Sequence, residues 1–354
     1  MEKIIGIVYA YNARDEYADV YACGFRWIRS GVPFPWADRM SGELSPHYLR
    51  AKEECRRAKE HGLKVMGATF GMGTWRYDEK DQSTRWRDEI PAFVGEKGSE
   101  EYYDNLRETG AFLARDMRGL VDDLWQCMNE IDIPTFAGPY SAEVAADTAR
   151  ALAEGIVSAS PEAKCGINLS HYCEEALAMA DRVYRPGHHF GYVGDDQYFG
   201  SWQGKTIEMW NTVIDELYAR YGLPLLANEW GYSSGGEVAD TRPDPALLPD
   251  GWPDVCYEKR WFHAVEGGHT EAVQAEYIRR GLEIFARHPH VLGSFLFCWK
   301  DAVHCYHCGQ TDCPSECYWG IVDSEKKPKP AYYAAKEAIE RYYRDGEVYS
   351  AWKG

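Results

Sequence analysis

The chain has 354 residues, 45% of them hydrophobic and 14% aromatic, and its 39 basic and 56 acidic side chains give a net charge of −17. Proteins that coat nucleic acid or anionic membranes need clustered lysine and arginine, so this charge disfavours both partners. No apolar run approaches the roughly 18 residues of a membrane helix, and the apolar stretch at residues 4–10 is short. We therefore expect a soluble, cytoplasmic protein.

Short apolar runs rich in Val, Ile and aromatic residues alternate with amphipathic stretches along the whole chain. The runs predict eight β-strands, at residues 4–10, 25–32, 64–70, 124–128, 165–169, 190–198, 224–227 and 291–299. The amphipathic stretches predict seven helices, at residues 45–61, 99–121, 141–158, 173–183, 206–221, 270–287 and 330–343. Ser45 and Pro46 open the first of these helices, and His61 with Gly62 closes it.

This alternation is typical of the parallel (β/α)8 barrel, the TIM barrel, which occupies about 250 residues. Most of the remaining length lies in three aperiodic stretches, residues 71–100, 231–270 and 301–322, which follow the third, seventh and eighth strands. A doubly wound open sheet is the rival architecture, but no glycine-rich phosphate loop follows the first strand. We expect one catalytic domain over residues 1–354, although length alone suggests two domains.

Two glutamates stand at the ends of strands that face each other across such a barrel. Glu130 follows the fourth strand in WQCMNE, and Glu229 follows the seventh in LLANEWG. Polar residues at the carboxyl ends of barrel strands are candidates for catalysis, and a pair of carboxyl groups is what glycoside hydrolysis requires. The alternative is that each is an ordinary loop carboxylate in a chain with 56 acidic residues.

The sequence resembles the clan of retaining glycoside hydrolases on a (β/α)8 barrel that is called the 4/7 clan. The resemblance covers nearly the whole chain. It is carried by five motifs in order, WIRSGV with Arg29, WQCMNE with Asn129 and Glu130, GDDQYFG with Tyr198, LLANEWG with Glu229, and FLFCWKD with Trp299. The ending WGIVDSEKKPKPAYYAAKEAIE is also similar to that of the clan.

The resemblance implies a role for each of these residues. Glu229 is the expected nucleophile and Glu130 the acid/base, with Arg29 keeping Glu229 ionised. Asn129 is expected to bind the sugar 2-hydroxyl, and Tyr198 to touch the nucleophile. Trp299 is expected to form the platform under the sugar. Asp196 shares the strand face of Tyr198 by alternation.

Other readings of these residues stay open. Arg29 fits a surface ion pair, and Tyr198 and Trp299 also fit simple core packing. His171 and Lys300 are weaker candidates for sugar contacts. The third strand lacks the histidine that many relatives carry, so the family within the clan is not assigned.

The long loops carry further aromatic residues. Trp36 lies just after the second strand, Trp75 and Trp86 in the third loop, and Trp252 and Trp261 in the seventh. We take Trp36 as a candidate substrate contact, while most of the 13 tryptophans are expected to anchor packing. Thick loops on three sides favour a closed pocket and therefore an exo-acting enzyme.

The eighth loop carries the sequence HCYHCGQTDCPSEC. Its cysteines, Cys305, Cys308, Cys313 and Cys317, have a C-x2-C-x4-C-x3-C spacing. Four thiolates can close a tetrahedral zinc site, which is the favoured interpretation in a reducing compartment; disulfides and free thiols remain alternatives. Such a site has no open coordination position, so the zinc would be structural and catalysis would need no cofactor.

These observations together predict a retaining β-glycoside hydrolase that acts on small oligosaccharides or glycosides by double displacement. An endo-acting β-glycanase of the same clan and a non-catalytic carbohydrate-binding barrel are the alternatives. A zinc-dependent hydrolase is disfavoured because no spaced HxH motif follows the first strand. The expected partner is a small carbohydrate, with no nucleic acid and no membrane, and a homo-oligomer stays open.

Overall fold

Eight parallel strands form the centre of the molecule. The computed structural model describes residues 3–9, 15–78, 83–249 and 251–343. The strands are β1 Ile4–Val8, β2 Trp27–Val32, β3 Lys64–Thr69, β4 Leu124–Gln126, β5 in two segments, Lys164–Gly166 and Asn168–Leu169, β6 Val193–Gln197, β7 Leu225–Trp230 and β8 Val291–Leu296. Each corresponds to one predicted run. Residue 10, the predicted end of the first run, lies outside the described residues.

The strands close into a barrel. Their hydrogen-bonded order is β5–β4–β3–β2–β1–β8–β7–β6–β5, so the two segments of β5 form both ends of the sheet. Only Ile167 separates these segments, and Cys165 also bridges Phe190 just before β6. The fifth strand therefore joins both edges, and the predicted (β/α)8 barrel is confirmed.

Helices surround the barrel. They are α1 Tyr17–Cys23, α2 Pro46–Glu60, α3 Glu100–Asp116, α4 Pro134–Ala137, α5 Ala142–Ala159, α6 Glu174–Val183, α7 Met209–Tyr221, α8 Asp254–Glu258, α9 Glu271–Arg287 and α10 Pro330–Tyr342. The predicted cap of α2 is confirmed, since the Ser45 side chain accepts a hydrogen bond from the Tyr48 N–H. None of these described helices is long and apolar enough to cross a membrane.

Some elements differ from the prediction. The helix expected at residues 99–121 ends at Asp116, because the chain turns before Gly119, whose φ is +80°. The short helices α1, α4 and α8 were not predicted. Helices of one or two turns show too little periodicity to be recognised in a sequence.

The strand side chains alternate between two apolar layers. In β1, Ile4 and Val8 belong to the cluster that fills the barrel, whereas Ile5 and Ile7 belong to the larger cluster that includes the surrounding helices. Gly6 leaves room for the ring of Phe295, which would lie 2.3 Å from a Cβ at that position. The filled interior keeps the carboxyl ends of the strands at fixed positions.

The three long connections follow β3, β7 and β8. The first contains an antiparallel hairpin, Gly73–Asp78 with Ser83–Asp88, whose residues 79–82 lie outside the described chain. The second contains α8 and a short parallel pair, Glu237–Val238 with Arg260–Trp261. The hairpin and the short pair were not predicted, since their residues show no strong alternation.

Two glycines allow α3 and α5 to pack closely. A Cβ on Gly110 of α3 would lie 2.4 Å from the Leu152 carbonyl oxygen, and one on Gly155 of α5 would lie 2.1 Å from that of Arg107. Both contacts are with backbone atoms, which cannot rotate away as a side chain could. The two helices therefore tolerate no side chain at their crossing.

We predict that Gly155→Ala lowers the free energy of unfolding by about 1–3 kcal/mol, because the new methyl group forces the helices apart. Urea unfolding monitored by circular dichroism measures the change. Gly31→Ala in β2 is the matched control, since a Cβ there meets nothing within 4 Å, and it should change stability by less than about 0.5 kcal/mol. Equal effects of the two substitutions would contradict the packing account.

Candidate active site

A cavity of about 800 Å³ lies at the carboxyl ends of the barrel strands. Strand residues and residues directly after strands contribute Arg29, Thr69, Asn129, Glu130, Ser170, His171, Tyr198, Glu229 and Phe297 to its wall. The long connections after β3, β7 and β8 supply much of the remainder, including Trp75, Trp252 and Trp319. The cavity is therefore a barrel-mouth pocket enclosed by loops, where barrel enzymes place their active sites.

The carboxylate of Glu229 is held through both of its oxygens. Arg29 Nη1 lies 2.5 Å from Glu229 Oε1, and the Tyr198 hydroxyl donates to Oε2. Burial lowers the pKa of Arg29, but the negative charges of Glu229 and Asp196 outweigh it and the net shift is upward. Burial and the charge of Glu229 raise the pKa of Tyr198. Both groups therefore stay protonated and donate hydrogen bonds to the Glu229 carboxyl group.

The surroundings of the second carboxyl group, Glu130, disfavour its charged form. Desolvation first, and then the negative charge of Glu229, raise the pKa of Glu130 well above its ordinary value. Its backbone N–H donates to Asn168 Oδ1 at 3.1 Å. Its φ of +40°, like the +70° of Met128, lies in the left-handed region that is unfavourable for these residues. The chain after β4 thus holds a half-buried carboxyl group that favours its neutral form.

Buried amide side chains connect the two glutamates. Asn129 Oδ1 accepts from Arg29 Nη2 at 2.8 Å, Asn168 Nδ2 at 2.9 Å and Gln126 Nε2 at 3.2 Å. Gln126 Oε1 accepts from Arg29 Nε at 2.8 Å and Asn228 Nδ2 at 2.7 Å. Three donors engage the Asn129 oxygen, and in the part of the chain that the structure describes its amide nitrogen has no partner, so its N–H groups can donate to a ligand in the cavity.

Gln126 and Asn168 were not predicted as site residues, although the sequence contains a signal for both. Each is a fully buried polar residue of a barrel strand, Gln126 in β4 and Asn168 in β5. Such a residue needs a hydrogen-bond partner inside the barrel. Here the partners are each other and the residues that hold the two glutamates.

Of the predicted substrate contacts, four lie on the cavity wall: Arg29, Asn129, His171 and Tyr198. His171 Nδ1 is 2.8 Å from Ser170 Oγ, which in turn donates to Asp132 at 2.7 Å. Desolvation lowers the pKa of His171, so the imidazole is neutral near pH 7. Because the Ser170 proton is donated to Asp132, His171 Nδ1 donates to Ser170 Oγ, and Nε2 is left as an acceptor for a sugar hydroxyl.

Two predicted contacts are corrected. Trp36 is 4% exposed and packs against Phe34 and Phe112 in the outer layer. Trp299 is 1% exposed, and its indole N–H donates to Glu16 Oε2 at 2.7 Å. Strand β8 ends at Leu296, so the strand alternation does not extend to Trp299.

The structure also shows the positions of other aromatic residues near the cavity and of Lys300, a weaker candidate for a sugar contact. Phe297, Trp202 and Trp319 lie on the cavity wall, although none of them was singled out in the sequence. Trp261 is buried. Lys300 forms a buried ion pair with Glu16 rather than lining the cavity.

The cysteine prediction is corrected at one position. The sulfurs of Cys256, Cys305, Cys308 and Cys313 all lie within 4.8 Å of one another and are buried. Cys317 is not in this group, and its sulfur lies 3.6 Å from the Gln310 carbonyl oxygen. Cys256 belongs to α8 in the connection after β7, so a spacing rule confined to the eighth loop could not include it.

The spacing of these sulfurs fits a metal site. Cys256 Sγ lies 3.7 Å from Cys305 Sγ and 3.5 Å from Cys313 Sγ. Both distances exceed the roughly 2.05 Å of a disulfide bond. They are close to the edge of about 3.8 Å of a tetrahedron with metal–sulfur bonds of about 2.3 Å. The four residues could therefore hold a structural metal, and they join the connection after β7 to that after β8.

No family model matches the chain, and no curated protein matches it. Several solved structures share its fold. A GH5_18 variant from Streptomyces cattleya in complex with Manb1-4GlcNAc has a TM-score of 0.65 and 15% identity, over 98% of this chain and 82% of that one. A family 39 glycoside hydrolase from Bacteroides cellulosilyticus WH2 has a TM-score of 0.63 and 13% identity, over 97% of this chain.

The present chain spans 64% of the length of the Bacteroides protein. A GH53 catalytic domain from Ignisphaera aggregans has a TM-score of 0.58 and 17% identity, over 95% of this chain and 91% of that one. All three neighbours are glycoside hydrolases, in line with the resemblance in the sequence. At these identities the likeness establishes the barrel fold.

We predict that Glu130 titrates well above the ordinary glutamate pKa of about 4.3, and that Glu229→Gln lowers its pKa by removing a neighbouring negative charge. Carbon-13 NMR of glutamate-labelled protein measures both values, with Glu130→Gln assigning the resonance. Glu271→Gln, on an outer helix, is the control and should leave the pKa of Glu130 unchanged. An unaltered Glu130 titration in Glu229→Gln would contradict the coupling.

Proposed function

We propose that the protein is a retaining β-glycoside hydrolase in which Glu229 is the nucleophile and Glu130 the general acid/base. The observation that carries the proposal is that the two carboxyl groups have different hydrogen-bond partners and different electrostatic surroundings. Glu229 receives hydrogen bonds from Arg29 and Tyr198 on its two oxygens. The environment of Glu130 raises its pKa. We therefore assign the attack on the sugar to the Glu229 carboxylate and the donation of a proton to Glu130.

In the first step, a Glu229 oxygen forms a bond to the anomeric carbon of the sugar. The bond from that carbon to the leaving oxygen breaks as Glu130 gives its proton to this oxygen. In the second step, Glu130 takes a proton from water, and the water oxygen bonds to the anomeric carbon. Glu229 leaves as a carboxylate, and the two displacements give net retention of configuration.

The same charge coupling explains how Glu130 serves in both steps. The negative charge of Glu229 raises the pKa of Glu130 in the free enzyme, which favours the acid form. Ester formation neutralises Glu229, so the pKa of Glu130 falls and the carboxylate can act as a base. Asn129, whose amide nitrogen has no hydrogen-bond partner among the described residues, is the proposed donor to the sugar 2-hydroxyl.

Loops on several sides of the cavity favour a small substrate. The connections after β3, β4, β7 and β8 all contribute to its wall. We therefore propose exo action on oligosaccharides or glycosides, with the whole chain acting as one catalytic unit. Endo action would require a groove that is open at both ends.

We also propose that the four-cysteine cluster holds zinc as a structural ion. Its sulfur-only ligand set suits zinc and leaves no coordination position for a substrate. Thiolates persist in reducing compartments, which favours a cytoplasmic location. The ion would order the loops at the cavity and take no part in the chemistry.

We expect Glu229→Gln to abolish hydrolysis of aryl β-glycosides, because no carboxylate remains to form the glycosyl-enzyme. Glu130→Ala should slow it by about 10²–10⁴-fold, and azide should restore turnover by giving a glycosyl azide of retained configuration. Steady-state kinetics and NMR of the first-formed anomer measure these outcomes, with Glu271→Gln as the control. Sugar binding without hydrolysis in the wild type would favour the non-catalytic barrel instead.

We expect purified protein to contain one zinc ion per chain, which Cys256→Ser loses and Cys317→Ser retains. Plasma mass spectrometry measures the zinc content. The two variants remove the same chemical group from the same region, so each controls for the other. Loss of zinc in Cys317→Ser with retention in Cys256→Ser would contradict the ligand set.

A further inference from the structure

A third carboxyl group lies beside the two glutamates, and the proposed mechanism gives it no step. Asp196 is on β6, is 0% exposed and does not line the cavity. Its neighbour in register on β7 is Glu229. Tyr198, two residues further along the chain, donates to the Glu229 carboxyl group. Asp196 is therefore next to the proposed nucleophile but does not touch a substrate.

The Asn168 side chain connects Asp196 to the segment that carries Glu130. Asn168 Nδ2 donates to Asp196 Oδ2 and, at 2.9 Å, to Asn129 Oδ1. Asn168 Oδ1 accepts from the Glu130 backbone N–H at 3.1 Å and from Gln126 Nε2 at 2.8 Å. These four bonds use both donors and both lone pairs of the amide. Asp196 therefore helps to fix the positions of Glu130 and Asn129.

Only one of the two Asp196 oxygens has a donor within the described part of the chain. Oδ2 accepts from Asn168, whereas Oδ1 is buried and forms no hydrogen bond. A buried carboxylate needs donors on both oxygens, because an unpaired charged oxygen costs more free energy than an unpaired neutral one. A neutral carboxyl group with its carbonyl oxygen at Oδ2 and its proton on Oδ1 leaves no charged oxygen unpaired. The hydrogen bonds therefore favour the neutral form of Asp196.

The charges near Asp196 favour the same form. The described side chains that act on it come from five neighbouring strands and are Arg29 on β2, Glu130 after β4, Asn168 on β5, Tyr198 on β6 and Glu229 on β7. Arg29 is the one cation in this set, and its Nη1 already pairs with Glu229. Burial first, and then the charges of Glu229 and Glu130, raise the pKa of Asp196 well above its ordinary value, and Arg29 offsets them only in part.

We infer that Asp196 is a positioning residue that works in its neutral form, holding the Asn168 amide and through it Glu130 and Asn129. The neutral form matters for the second displacement. Once Glu229 is an ester, an anionic Asp196 would still raise the pKa of Glu130 and oppose its action as a base. A neutral Asp196 leaves this control to the charge of Glu229. For its effect on turnover, the inference rests on the proposed function.

Asparagine and alanine at position 196 separate a positioning role from a role of negative charge. Asp196→Asn keeps an oxygen that accepts from Asn168 Nδ2, whereas Asp196→Ala leaves that amide hydrogen unpaired. With 4-nitrophenyl β-glycosides at pH 7, we expect Asp196→Asn to keep kcat within about threefold of the wild type and Asp196→Ala to lower it about tenfold or more. Steady-state kinetics measures both, with Glu271→Gln as the control.

The titration of Glu130 tests the charge of Asp196 without any turnover. Carbon-13 NMR of glutamate-labelled protein follows it in the wild type, in Asp196→Asn and in Glu229→Gln. A neutral Asp196 predicts the same pKa of Glu130 in the wild type and in Asp196→Asn, and a lower pKa in Glu229→Gln. In aspartate-labelled protein, the resonance that Asp196→Asn removes should be that of a neutral carboxyl group at pH 7.

Three results would overturn the inference. Equal losses of kcat in Asp196→Asn and Asp196→Ala would show that the negative charge is needed. Unchanged kcat in both variants would show that Asp196 positions nothing. A lower pKa of Glu130 in Asp196→Asn would show that Asp196 is an anion in the wild type.

The two titrations also separate this inference from the proposed function. If the wild type hydrolyses no glycoside, the proposed function fails, and an Asp196 that is ionised at pH 7 would still reject the inference by itself. In that case the backbone amide resonance of Glu130 reports the positioning role, and it should shift in Asp196→Ala more than in Asp196→Asn. If Asp196→Ala does not fold, the titrations of the wild type and Asp196→Asn decide.

Discussion

The ion pair between Arg29 and Glu229 is the interaction on which the site depends. A guanidinium and a carboxylate that are only 10% and 11% exposed are stable only when their remaining polar atoms form hydrogen bonds. Arg29 meets this requirement with three separate donors, Nη1 to Glu229, Nη2 to Asn129 and Nε to Gln126. One side chain on β2 therefore fixes groups on β4 and β7, the two strands that carry the glutamates. A lysine could not replace Arg29, because its ammonium group is a compact point charge and lacks the planar set of donors of a guanidinium.

Because Arg29 pairs with Glu229 and not with Glu130, the two carboxyl groups have different electrostatic surroundings. Cationic Arg29 and the Tyr198 hydroxyl hold Glu229, whereas Glu130 lies in a desolvated position where the charge of Glu229 disfavours ionisation. The same residue type thus has two different electrostatic environments in one site. The barrel supplies the positions, and the buried network supplies the difference between them. Farther from the two glutamates, four cysteines bring the connection after β7 together with the one after β8, which lines one side of the pocket.

Much of this arrangement could be predicted from the sequence, because strand periodicity and strand order are local properties. The eight barrel strands follow from the apolar runs, and Glu130 and Glu229 lie at or just after the ends of two of them. The errors at the site have two different causes. Trp299 was misplaced because β8 ends before it. Cys317 was chosen over Cys256 because only the folded chain brings α8 to the connection after β8.

The central claim is that Glu229 forms a covalent bond to the sugar. The most direct test is to incubate the protein with 2,4-dinitrophenyl 2-deoxy-2-fluoro-β-glycosides, which slow release of the intermediate, and to identify the labelled residue by peptide mass spectrometry. The account predicts a single added fluorosugar on the peptide that contains Glu229, and no label in Glu229→Gln. Label on another carboxylate, or hydrolysis with inverted configuration and no label, would contradict it.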